Sequence, residues 1–180
     1  MRLPRRLFGQ GFGSGLPKDF AGTLDADEHV LASVVVDFGP NSRLVATSRG
    51  LWWDVIDNAV RFDWPLIRKA TWKDGVLTIT AGGVIDEIAG ADVLDATQPK
   101  RFPLRQPGKL PGIVYQRVTG SIKSSHYRDI PGGGAWFVQR KIAGRGVVLQ
   151  VWPDEGTDAD ALASVVRQVV AGIAAADDNG

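Results

Sequence analysis

The residues best suited to nucleophilic chemistry lie together on one predicted strand. Ser124, Ser125, His126 and Asp129 are the residue types of a serine-hydrolase triad. Strand alternation puts Ser124 on the side of His126 and Ser125 on the opposite side. Such triads are assembled across a fold rather than from neighbours on one strand, and the sequence has no G-x-S-x-G elbow. A small hydrolase using Ser124 and His126 is therefore an alternative, and we predict a chain that is not an enzyme and has no catalytic residue.

Metal and phosphate chemistry have weak signals in this sequence. Cysteine is absent and the two histidines are His29 and His126, which excludes thiol nucleophiles, disulfides, cysteine-based zinc sites and multi-histidine sites. Carboxylates within 86–95 lack the spacing of a calcium loop. Glycines alternate over 9–15 without a G-x-G-x-x-G pattern or a glycine-lysine-serine ending. We predict no metal site and no cofactor.

Charge is unevenly distributed along the chain, although the formal net charge of the 180 residues is +1. Residues 100–145 hold ten of the 21 Lys and Arg residues but one of the 20 acids, Asp129, and so carry a net charge of +9. If this segment folds onto one face, it forms a positive patch for phosphates or acidic partners; otherwise its charges are scattered over separate faces. The candidate binding residues are Lys100, Arg101, Arg105, Lys109, Arg117 and Lys123.

Short strand-like runs separated by turn residues must position these side chains. The Asp74-Gly75 pair predicts a hairpin, and Pro65 interrupts the pattern before it. The predicted strands are 29–36, 43–47, 51–56, 59–62, 69–72, 76–80, 101–104, 122–127, 136–141 and 147–152. Residues 82–98 are expected to form a long excursion with a short helical turn near 86–88.

Two helices are predicted. Apolar spacing favours a helix over 110–121. A C-terminal amphipathic helix over 157–176 has Thr157 as its N-cap and a stripe of large apolar residues for burial. The chain thus reads as a flexible N-terminal tail, 1–27, and a single domain, 28–180. The fold class is mainly β (α+β), a barrel or sandwich of short antiparallel strands with an inserted short helix and a C-terminal capping helix.

Two segments carry a family resemblance. Residues 44–51 form a strand-turn-strand with Thr47 before the turn and Leu51 after it, and residues 61–67 place Arg61, Trp64 and Ile67 at a corner. The chain resembles bacterial pleckstrin-homology-like (PH-like) domains of actinobacterial type in these features. The resemblance implies a scaffold that binds lipid headgroups, peptides or proteins and implies no catalysis.

The leading prediction is a non-catalytic PH-like module that binds an anionic membrane surface or an acidic protein partner through its basic face. Nucleic-acid binding, with Tyr115, Tyr127 or Trp136 stacking on bases, is ranked lower because the pI is near 8.0. The six tryptophans are expected to anchor the core, and an exposed one would indicate a partner surface. No apolar run predicts a transmembrane segment, so we expect a cytoplasmic protein with peripheral membrane contact as an option.

Overall fold

A computed structural model of the chain describes residues 15–39 and 41–178. This part contains eleven strands, two α-helices and one short 3-10 helix. In chain order the elements are β1 Val30–Val35, β2 Arg43–Thr47, β3 Gly50–Val55, β4 Asn58–Asp63, the 3-10 helix Trp64–Leu66, β5 Ile67–Lys73, β6 Val76–Ile88, β7 Ala91–Ala96, β8 Lys100–Pro103, α1 Leu110–Thr119, β9 Ile122–Ile130, β10 Gly133–Ile142, β11 Gly146–Pro153 and α2 Ala159–Asp177.

The first layer is a four-stranded antiparallel sheet in the order β1-β2-β3-β4. Leu44 and Ala46 of β2 and Leu51 of β3 are fully buried. They form one core with Ile79 of β6, Phe102 of β8 and Val114 of α1. This core holds the first sheet against β5, β6, β8 and α1.

The second layer is a seven-stranded sheet in the order β5-β6-β7-β11-β10-β9, with β8 paired to β6. β6 is 13 residues long. Its first half pairs with β5 and β8, and its second half pairs with β7 from Gly82 onward. The sheet curls along this strand into a half-barrel.

α2 covers one face of the second sheet. Leu162 and Val166 are buried against Phe137 of β10 and Val151 of β11. By length and composition α2 also meets the criterion for a membrane-crossing helix, a criterion that core helices and signal sequences meet as well. The predicted N-cap was wrong by one residue, because the carboxylate of Asp158 accepts the hydrogen bond from the backbone N–H of Ala161.

The predicted fold class is confirmed, since mostly antiparallel strands, an inserted helix and a C-terminal helix make up a barrel-like domain. The predicted excursion over 82–98, with its helical turn, was wrong. Residues 76–88 form one continuous strand, β6, and 91–96 form β7, which pairs with β6 on one side and in parallel with β11 on the other. β11 lies far along the chain, so local sequence gave little sign of this pairing.

Residues 15–27 contain no helix or strand and lie against the first sheet. The ring of Phe20 meets Trp52 edge-on at 5.3 Å. Arg43 pairs with Asp19 at 2.6 Å, and the backbone N–H of Ala21 donates to Asp54 at 3.1 Å. The remainder of the predicted tail, 1–14, lies outside the described residues.

Candidate functional site

A buried carboxylate, Glu28, lies at the junction of the N-terminal segment and the first sheet. It accepts hydrogen bonds from the hydroxyl of Thr47, from Trp52 Nε1 at 2.8 Å and from Arg61 at 2.9 Å. The backbone N–H of Asp25 donates to it at 3.0 Å. Burial disfavours the ionised form, but the hydrogen bonds from Thr47 and Trp52 outweigh it and lower the pKa of Glu28. This charge is fully partnered and its role is structural.

The residues that carry the family resemblance surround this carboxylate. Besides donating to Glu28, the Thr47 hydroxyl accepts from the backbone N–H groups of Arg49 and Gly50, which closes the β2–β3 turn. Trp64 Nε1 donates to the backbone carbonyl of Thr47 at 2.9 Å. These contacts account for Thr47, Arg61 and Trp64 of the two motifs by local packing.

The face of the second sheet opposite α2 is built from three rows of side chains that cross its strands. Register places Tyr127, Trp136 and Trp152 opposite one another on β9, β10 and β11. A second row contains Ser125, Val138 and Gln150. A third row contains Ile122, Arg140 and Val148. Thr80 and Lys69 lie on the same face at the other end of the sheet. Thr80 is two residues from Gly82 along β6 and so shares its face, and Thr80 pairs with Lys69.

Residues from the two ends of this face line one cleft, so the face is the concave side of the half-barrel. We call this cavity of about 600 Å³ the basic cleft. Its walls come from β5–β6, from the β7–β8 loop and from β9–β11. They comprise Arg68, Lys69, Thr80, Ala96, Thr97, Gln98, Pro99, Ile122, Ser125, Trp136, Val138, Arg140 and Trp152. Within the described part of the chain, its lining contains three cations and no carboxylate.

Arg140 is the buried cation of the basic cleft, with 1% of its surface exposed. One terminal nitrogen donates to the carbonyl of Val118 at 2.7 Å and to the Ser121 hydroxyl at 2.8 Å, while the other lies 3.5 Å from the carbonyl of Ile67. Val118 belongs to the last turn of α1, where the helix dipole is negative. Burial lowers the pKa of Arg140. No carboxylate of residues 15–39 or 41–178 pairs with it.

Unsatisfied polar atoms cluster on this same concave face. Among the described residues, three buried side-chain atoms have no hydrogen-bond partner: Arg140 Nε, Gln150 Oε1 and Trp152 Nε1. All three residues point to the concave face by strand register, and each is 1% exposed. Buried polar groups in proteins nearly always have partners, so such a cluster needs an explanation.

A larger cavity of about 870 Å³, the large cleft, lies between the two layers. Its carboxylates are already paired. Arg49 binds Asp27 at 2.6 Å, Arg61 binds Asp63 at 2.6 Å and Arg145 binds Asp92 at 2.7 Å. Arg117 and Lys141 also line it and form no ion pair with the described residues. The mixed, largely neutralised charge of this cavity contrasts with the basic cleft.

The six residues predicted for the basic face lie on three separate elements and one connecting segment. Lys100 of β8 lies over the ring of Trp53 at 5.7 Å, whereas its neighbour Arg101 is on the opposite, exposed face of that strand. Arg105 pairs with Asp37 at 2.8 Å. The remaining three are exposed: Lys109 at the start of α1, Arg117 in its last turn and Lys123 on β9.

None of these six residues lines the basic cleft. Two of the cations that do, Arg68 and Lys69, lie outside the segment 100–145, and Arg140 lies inside it but was not selected. Arg101 adjoins the cleft indirectly, since it shares the concave face of β8–β6–β5 with Thr78 and with Lys69. The sequence carried one signal that Arg140 points inward: it lies two residues after the apolar Val138 and therefore on the same face of the strand.

The Ser124–His126 pair shows no catalytic geometry. Ser124 donates to the Gln139 side chain at 2.9 Å. His126 lies opposite Phe137 on the face covered by α2, and none of the described side chains forms a hydrogen bond or ion pair with it. Over residues 15–39 and 41–178 no group of three or more His, Cys, Asp or Glu residues could hold a metal ion.

Comparison with known proteins adds no assignment. A scan against protein-family models and searches of curated proteins and of solved structures found no match.

Proposed function

We propose that this chain is a non-catalytic binding module whose ligand brings a negatively charged group into the basic cleft. One observation carries the proposal: the Arg140 guanidinium is almost fully buried beside a cavity, and no described carboxylate pairs with it. A buried charge without an opposite charge costs several kcal/mol, of order 3–5 when a partner is removed. An anion in the cleft would offset part of that cost.

The surroundings of Arg140 favour an anionic ligand over a neutral one. Arg68 and Lys69 line the same cavity, and within the described residues neither forms an ion pair. Hydrogen bonds from arginine to carboxylate or phosphate are about twice as strong as neutral ones. The hydroxyls of Thr80 and Ser125 also line the cavity and supply donors for the remaining oxygens of such a group.

The basic face predicted from the sequence would also bind a negatively charged partner. A PH-like module of the cytoplasm would bind an anionic membrane surface or an acidic protein through Lys100, Arg101, Arg105, Lys109, Arg117 and Lys123. Arg101 supports a link between that surface and the basic cleft, because its strand face continues toward Lys69. The fit of the basic cleft to an anion does not depend on the wider surface.

The test uses inorganic phosphate and pyrophosphate as probes. We expect either anion to raise the Tm of the full chain relative to chloride at equal ionic strength, because a ligand that binds the folded state stabilises it by mass action. The double variant R68E/K69E should lose at least tenfold in affinity. The matched control K109E/K123E reverses two exposed cations outside the cleft and should keep the Tm increase.

Two results would overturn the proposal. One is an unchanged Tm of the wild type with both anions up to near-molar concentration. The other is an equal increase in R68E/K69E and in the wild type, which would locate the anion elsewhere.

A further inference from the structure

The basic cleft has an aromatic end. Trp136 lines it and is 37% exposed. Its neighbours across the strands are Tyr127 and Trp152. The Tyr127 and Trp136 rings lie 5.5 Å apart at an angle of 59°. Trp136 is the accessible ring of this row, because Trp152 is 1% exposed and Tyr127 does not line the cleft. A flat group entering the cleft would therefore meet the Trp136 ring.

Both flanking rings of this row are fixed in place. Tyr127 donates to Asp154 at 2.7 Å, and its ring occupies the space where Gly134 lacks a side chain. Trp152 occupies the space that a side chain at Gly82 would fill. A rigid row binds a planar ligand with little loss of side-chain entropy.

Negative charge bounds the aromatic end. The hydrogen bond to Asp154 and the charges of Asp154 and Asp129 raise the pKa of Tyr127. A polyanion that continued past Trp136 would approach these two carboxylates. The cations that line the cleft are Arg68, Lys69 and Arg140. Arg140 lies four residues from Trp136 along β10, which separates their Cα atoms by about 13 Å. The carbonyl of Ile67, the residue before Arg68, lies 3.5 Å from the Arg140 guanidinium, so favourable positions for an anion lie toward that end of the cleft.

We infer that the ligand is a small molecule with a planar unsaturated ring and one terminal anionic group. The ring stacks on Trp136, and the anion lies among Arg68, Lys69 and Arg140. A cavity of about 600 Å³ accommodates a ligand of this size. This inference rests on the proposed function and adds to it the polarity and the shape of the ligand.

Calorimetry with three probes tests the inference: 1-naphthyl phosphate, inorganic phosphate and 1-naphthol. We expect 1-naphthyl phosphate to bind at least tenfold more tightly than either fragment. Trp136→Ala should reduce its affinity to that of inorganic phosphate and leave the affinity for phosphate itself unchanged. Trp72→Ala is the matched control, because Trp72 is also exposed, at 41%, but lies outside the cleft.

The outcomes separate this inference from the proposed function. If phosphate binds and 1-naphthyl phosphate binds no more tightly, the planar ligand is refuted and the anion site stands. If none of the probes binds, both fail. An oligothymidylate of about fifteen residues that binds more tightly than 1-naphthyl phosphate, with strong salt dependence, would overturn the inference in favour of single-stranded nucleic acid.

Discussion

Glu28 and Arg140 are both buried charges, yet their surroundings are opposite. Glu28 receives three side-chain donors, among them the cation Arg61, and one backbone donor. Among the described residues, Arg140 donates only to neutral oxygens and its Nε has no partner. Glu28 joins the N-terminal segment to the first sheet, whereas Arg140 lines a cavity. A buried charge with all its partners stabilises the fold, whereas the proposed anion site rests on a buried charge for which the described residues supply no countercharge.

Of the substitutions considered, we expect the one at Glu28 to lower the stability of the fold most. Glu28→Ala should lower the free energy of unfolding by about 3–5 kcal/mol, because Arg61 and Trp52 Nε1 lose their shared acceptor. Urea denaturation measures this loss. Asp27→Ala is the control, because the exposed Asp27 also binds an arginine and its removal should leave the midpoint nearly unchanged. Equal losses in the two variants would show that Glu28 is no different from a surface carboxylate.

Gly82→Ala tests how tightly Trp152 is packed on the concave face. The new methyl group would collide with the Trp152 ring and with the backbone carbonyl of Asp95. We expect a loss of about 1–3 kcal/mol, typical of overpacking, and an altered near-ultraviolet circular dichroism signal of tryptophan. Gly83→Ala should change neither, since no atom of the described residues lies within 4 Å of a methyl group there. An unaltered spectrum in Gly82→Ala would mean that Trp152 is not held by this contact.

Arg140→Met should have a smaller effect on stability than Glu28→Ala. Removing the charge relieves its burial, while the carbonyl of Val118 and the Ser121 hydroxyl lose a donor, so we expect a net loss of about 1–2 kcal/mol. The increase in Tm with phosphate should disappear. If stability falls as far as in Glu28→Ala, Arg140 is chiefly structural and the contrast between the two charges is lost.

The dependence of stability on pH offers a finer test. The pKa of Glu28 is lowered in the folded state from its ordinary value of 4.5. Its contribution to stability is therefore complete above that value and is lost as the pH falls through the lower folded pKa. Unfolding measured from pH 7 to pH 3 should show this loss in the wild type and a shallower acid slope in Glu28→Gln. Identical slopes would contradict a strongly partnered carboxylate.

The weakest expected effect concerns the wider basic surface. Full-length protein should co-sediment with anionic vesicles, but not zwitterionic ones, and added salt should weaken the binding. Reversing Arg101, Arg105 and Lys109 to Glu should abolish this binding while the fold persists. Arg105 already pairs with Asp37, so the loss at that position should be the smallest of the three. Retained binding in the triple variant would remove these residues from the proposed surface.

Local signals predicted most of the fold. β2 was predicted with the bounds that it has, Arg43–Thr47, because turn residues flank an apolar run. The hairpin at Asp74-Gly75 also forms, and both residues adopt the positive φ angles of 50° and 75° that such a turn requires. Signals of this kind predict the fold class, because the two strands of a hairpin and its turn are adjacent in sequence.

The cleft could not be predicted in the same way. Arg68 and Lys69 line one cavity with Arg140 because the sheet curls, and curling depends on strand pairs that span much of the chain. The net charge of residues 100–145 drew attention to exposed lysines and arginines, whereas the buried Arg140 differs from them in its apolar strand neighbours. A sum of charges along a segment gives the sign of its net charge but does not show which of its side chains are buried.

The parallel pair of β7 and β11 sets an order for folding. Residues 92 and 93 of β7 pair with 150 and 151, almost a third of the chain away. Local hairpins close quickly, whereas a contact across so long a loop forms late because its entropy must be lost first. During synthesis β7 therefore emerges with one edge unpaired, and that edge is closed only after β11 has left the ribosome. A chain stalled before residue 150 would expose this edge to other chains, and aggregation would begin there.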